Sequence, residues 1–90
     1  MKINEIITEV MQNTYNAEGK KIKQVEIVEQ IFEKFNVKVS PAALSDRLKN
    51  ENMQINTVIE ILDILGYEVA IRPKKGSRET YIVERGEKRR

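Results

Sequence analysis

The sequence predicts a mainly α fold, four to five helices followed by a C-terminal β-hairpin. Three observations carry this. Apolar residues recur at helical spacing through residues 2–14, 21–35, 40–50 and 55–66. The runs YNAEGK, NVKVS and NEN break that spacing with turn-forming residues. After Gly66 the period changes, and Tyr67, Val69 and Ile71 alternate with Glu68, Ala70 and Arg72, which is strand patterning. Ninety residues make one domain with one small core. Residues 1–66 form its helical part, 67–85 the hairpin and 86–90 a basic tail.

In the first segment Ile3, Ile6, Ile7, Val10 and Met11 fall on one face, which is expected to pack as core. Asn16 and Gly19 mark the turn that follows. Lys20, Lys21 and Lys23 cluster at the start of the next helix, the end that the macrodipole makes unfavourable for cations. A nearby phosphate or simple solvation accounts for them. In the second helix Ile22, Val25, Val28, Ile31, Phe32 and Phe35 are expected to face inward, with Glu26, Glu29 and Glu33 outward.

Ser40 is placed to cap the third helix, and Pro41 stands at its first position, where proline is tolerated. Leu44 and Leu48 make a narrow apolar seam with Pro41 beside it, while Ala42, Ala43, Asp46, Lys49 and Asn50 face outward. Ser45 and Arg47 lie on the flanks. Such a helix is poorly designed as core and well designed to be presented. In the fourth helix Asn56 is the expected N-cap, and Ile55, Val58, Ile59, Leu62 and Leu65 form a wide apolar face. Glu60 and Asp63 are expected in solvent, and Gly66 suits a left-handed C-cap. The hairpin's return strand is TYIVER, residues 80–85, after a turn-rich PKKGSR.

Composition narrows the function. The chain has no cysteine and no histidine, so thiol chemistry, disulfides and the usual general bases are excluded. No catalytic residue, metal ligand, cofactor or small-molecule substrate is expected. No apolar run is long enough to span a bilayer and the N-terminus lacks a signal-peptide layout, so a cytoplasmic protein without a membrane partner is expected. The net charge of +2 is uneven: residues 1–66 carry eight lysines and arginines against ten acidic residues, and residues 67–90 carry eight against four. The basic end is either a handle on phosphate or a solubilising tail.

The run LSDRLKN followed by NMQINTVIEILDILGYEVAI resembles the small phage- and plasmid-type helix-turn-helix proteins of the lambda repressor/Cro (XRE) class. Those proteins often carry a leucine-serine-x-arginine-leucine run in the recognition helix, and their next helix ends in leucine-glycine-tyrosine before a strand. The chain departs from the family at the turn, where Phe32 and Asn36 stand near the usual alanine and glycine and the connection is about two residues longer. The resemblance implies a homodimeric, sequence-specific binder of double-stranded DNA, a repressor of a phage or mobile element. Its contacts would come from Lys38, Ser40, Ala42, Ala43, Ser45, Asp46, Arg47, Lys49, Asn50 and Asn52. Asp46 opposes phosphate, although a carboxylate can accept from cytosine. Dimerisation is expected through Tyr67, Val69, Ile71, Tyr81 and Val83, the alternative being a monomer closed by its hairpin. Two rival functions are an antitoxin that also binds a toxin protein, and a protein-binding inhibitor of a host defence enzyme.

Overall fold

Four helices precede two short strands: α1 (Ile3–Gln12), α2 (Gln24–Phe35), α3 (Pro41–Leu48), α4 (Ile55–Ile64), β1 (Val69–Ile71) and β2 (Tyr81–Val83). The computed structural model describes residues 1–76 and 79–87. Ser77, Arg78 and residues 88–90, in the expected turn and tail, lie outside the described residues. No described helix is long and apolar enough to cross a membrane.

α1 and α2 start with the same local device. The Glu5 carboxylate accepts the Lys2 backbone N–H at 2.8 Å, and Glu26 accepts that of Lys23 at 2.9 Å. This is the reciprocal half of a capping box, and it puts a carboxylate where the helix dipole favours one. Glu26 is therefore partly buried, not outward. Asn16 builds the loop before it: its carbonyl accepts from the Glu18 and Lys20 N–H groups, and its amide donates to Glu26 at 3.0 Å. A bridge between Tyr15 and Lys21 closes that loop.

α2 stops at Asn36, which adopts the left-handed conformation at φ 56° and donates to the Phe32 carbonyl at 2.9 Å. α3 begins with Ser40, whose hydroxyl accepts the Ala43 N–H at 3.0 Å, and Pro41 fills the first helical position. α4 ends in a Schellman motif: Gly66 at φ +88° donates to Asp63 at 3.1 Å, and Tyr67 donates to Leu62 at 2.8 Å.

α2 packs on α3 and α4, and α1 packs on α3. Ile7, Ile27, Val28, Ile31, Leu44, Val58, Ile61, Leu62 and Leu65 form the sealed core. Several inward expectations change. Ile27, absent from the expected set, is fully buried, while Val25 and Phe32 are 45% and 44% exposed. The apolar residues of α2 span more of its circumference than α3 and α4 cover. Ile6 and Ile55 are exposed for the same reason at the edges of their helices.

The largest correction concerns α4. Asn56 is not its N-cap; Gln54 occupies that position and its side chain makes no capping bond. Asn56 instead holds Gly86, accepting its N–H at 2.9 Å and donating to its carbonyl at 3.3 Å. Glu60, expected in solvent, is 1% exposed and accepts from the Arg85 guanidinium at 2.6 Å. That guanidinium also lies 4.9 Å from the centre of the Phe35 ring. Residues 85 and 86 thus strap along α4, antiparallel to it, and Gly86 belongs to the folded domain and not to a tail.

The strands are shorter than expected. Val69 pairs with Val83, Ala70 with Ile82 and Ile71 with Tyr81, in antiparallel register. Val69 packs against the helical core; Ile71, Tyr81 and Ile82 remain 61%, 60% and 51% exposed.

Candidate nucleic-acid interface

The candidate interface is the outer face of α3. Leu44, 1% exposed, and the half-buried Leu48 attach this helix to the body. One turn separates them, so the opposite side of the helix is left uncovered. Ala42, Asp46, Arg47, Lys49 and Asn50 are exposed, whereas Ala43 and Ser45 are half-buried. Pro41, expected beside the leucine seam, is exposed as well. Its ring fixes the helix start without packing into the core.

The two flanks of α3 differ. On one, Ser45, Leu48 and Lys49 share a groove with Lys21, Ile22 and Gln24 from the approach to α2, and with Met11 of α1. On the other, Arg47 and Asn50 share a polar groove with Asn52, Met53, Gln54 and Thr57 at the start of α4. Asp46 stands between these flanks. Among the described residues the side chains of Asp46, Arg47 and Lys49 make no hydrogen bond or ion pair. The open side of α3 thus carries a cation on each flank and the Asp46 carboxylate between them.

Two polar residues are partly committed to the fold. The Ser40 hydroxyl spends an acceptor site on Ala43, and the Asn50 side-chain carbonyl accepts the Asn52 N–H at 2.8 Å. The Asn50 amide stays available. Asn52 is exposed on the groove beside Arg47. Lys38 is exposed and lines a separate cleft with Val28, Glu29, Phe32, Val39 and Ser40, so that it meets the candidate set only at the α3 cap. Lys21 was absent from the expected contacts. Its cluster was visible in the sequence, but its place opposite Lys49 depends on the Asn16 loop and the Tyr15–Lys21 bridge.

The hairpin carries the second candidate surface. Tyr67, Ile71 and Tyr81 expose 52%, 61% and 60% of their surface, while Val69 and Val83 are half-buried. The two valines are therefore partly used within the chain, and any partner would meet chiefly the tyrosines and Ile71.

No family model, no curated protein and no solved structure matches this chain.

Proposed function

We propose that the chain is a helix-turn-helix DNA-binding regulator of the lambda repressor/Cro kind, acting as a homodimeric repressor on double-stranded DNA. In this reading α2 and α3 are the two helices of the motif, and α3 enters the major groove. The observation that carries it is the state of α3: a capped helix anchored by two leucines, with unpaired Arg47, Asp46 and Lys49 on its open side. Ala42 and Ala43 allow close approach and methyl contact with thymine; Lys49 and Lys21 face the backbone; Asn50 offers its amide to a base edge. One module of this size buries only about 600–1,000 Å² on DNA, so two copies are needed for tight binding. The exposed hairpin residues Tyr67, Ile71 and Tyr81 support pairing of two chains there. Repression follows from occlusion of polymerase.

Selection of randomised duplexes by the purified protein tests this reading. Enrichment of a palindrome with half-sites about one helical turn apart is expected. Recovery of an unenriched pool, with binding that vanishes as salt rises, would leave charge alone as the cause.

Asp46 favours a second reading, a protein-binding module such as an antitoxin or an inhibitor of a host defence enzyme, because its unpaired carboxylate stands at the middle of the presented face. Asp46→Ala separates the two. On the DNA reading it tightens binding to random duplexes by removing a charge that repels phosphate, and relaxes preference at one base pair. No change in duplex binding would favour the protein-binding reading.

A further inference from the structure

Two exposed apolar surfaces of the chain are left uncovered, and they carry opposite charge. The first is the outer face of α2. Val25, Glu29 and Phe32 stand on one stripe at helical spacing, all exposed, with Glu33 one turn after Glu29. Phe32 also opens a cleft of about 450 Å³ with Val28, Lys38 and Val39. Unlike Glu26, which is committed to the helix start, Glu29 and Glu33 make no hydrogen bond or ion pair among the described residues.

The second is the outer half of the hairpin. Val69 and Val83 hold its inner end beside Lys34 and Phe35. Beyond them both faces are bare, with Ile71 and Tyr81 on one and Ala70 and Ile82 on the other. Arg72, Lys74 and Lys75 follow, exposed and unpaired among the described residues. The next acidic residue is Glu79. A two-stranded ribbon is marginal in water, and apolar side chains bare on both its faces mark an interaction surface. The chain's own hairpin does not cover the α2 stripe, because Val25 and Phe32 stay exposed with it in place.

We propose that a second copy of this chain covers both surfaces at once, the hairpin arm of each protomer lying on the α2 face of its partner. Ile71 and Tyr81 pack on Val25 and Phe32, and Arg72 and Lys74 face Glu29 and Glu33. Lys38, the cation of the cleft, is matched by Glu79 on the arm. Charge complementarity selects this occupant, since the arm is basic where the α2 face is acidic. The contact is made twice about one two-fold axis, so it closes at two copies. The inference rests on the homodimer of the proposed function and deepens it by naming the surface that receives the hairpin. It uses none of Asp46, Arg47 and Lys49, and it withdraws Lys38 from the expected DNA contacts.

Sedimentation equilibrium of the full chain without DNA tests this. A dimer is expected, weakened by added salt. Glu29→Lys with Glu33→Lys, and separately Arg72→Glu with Lys74→Glu, should each weaken it about tenfold, through like charges brought together. All four positions are exposed, so both variants should fold. Mixing the two variants should restore association as heterodimers, because each arm then meets a face of opposite charge. A wild-type chain that stays monomeric overturns the proposal. So does a dimer that the α2 reversal leaves unchanged while the arm reversal alters it, which would place arm on arm. The chain has no cysteine, so single engineered ones report proximity cleanly. Phe32→Cys chains mixed with Tyr81→Cys chains should cross-link through a short bismaleimide more readily than either variant alone. Tyr81→Cys chains linking chiefly to one another would again mean arm on arm. Duplex selection is read separately. A dimer that passes these tests but selects no duplex removes the DNA reading and keeps the exchange. A palindrome selected by a dimer indifferent to the α2 reversal keeps the DNA reading and removes the exchange.

Discussion

The helical body and the C-terminal hairpin are held by different physics. In the body, Ile7, Ile27, Ile31, Leu44 and Ile61 are at most 2% exposed, so burial of apolar surface holds the four helices together. In the hairpin, Ile71, Tyr81 and Ile82 are more than half exposed, and Val69 is the strand residue that reaches the core. Directional links do the rest: Arg85 on Glu60, Arg85 over Phe35, and Gly86 on Asn56. A region held by packing resists deformation and can present α3 rigidly. A region held by a few polar links opens locally at a lower free energy.

This contrast is open to direct test. Ile61→Ala removes a fully buried side chain where α4 meets the core, and should cost about 2–5 kcal/mol in urea-monitored unfolding, with all elements losing stability together. Arg85→Ala removes a charged hydrogen bond and a ring contact, and should cost about 1–3 kcal/mol. Its signature is regional: hydrogen exchange should accelerate across β1 and β2 far more than across α2. Uniform acceleration would show that the hairpin is as integral as the helices. Ile71→Lys should change monomer stability by less than about 0.5 kcal/mol, as exposed positions generally do. Sedimentation should nevertheless show a shift from dimer to monomer; an unchanged association state would remove this hairpin face from the interface.

The elements were legible in the sequence because their signals are local. Ser40 and Pro41 at the start of α3, Gly66 at the end of α4 and the change of period at Tyr67 each act within a few residues. The seam of Leu44 and Leu48 followed from spacing alone, whereas Pro41, expected beside it, is exposed and Ala43, expected outward, is half-buried. What escaped the sequence depends on residues far along the chain. Glu60 reads as a solvent-facing carboxylate until Arg85, 25 positions later, is folded over it. Asn56 reads as a cap until Gly86 claims its side chain, 30 positions away. In α2, Ile27 and Phe32 are equally apolar, and only the placement of α3 and α4 decides that the first is buried and the second half exposed. Lys21 joined the α3 flank through a loop whose shape Asn16 determines by bonds to its own neighbours.

The pairing of Asn56 with Gly86 engages Gly86 through its peptide group alone. The side-chain amide of Asn56 meets the N–H and the carbonyl of Gly86, as a neighbouring strand would. A Cβ added at Gly86 would sit 3.5 Å from the Asn56 oxygen, an ordinary contact, and the backbone there is not left-handed. Position 86 is thus free to drift over evolutionary time, while position 56 is not: few other side chains carry a donor and an acceptor side by side at that reach. Homologous chains that keep the strap should retain asparagine at 56 and vary at 86, so the residue that looks like ordinary helix surface will be the more constrained of the two.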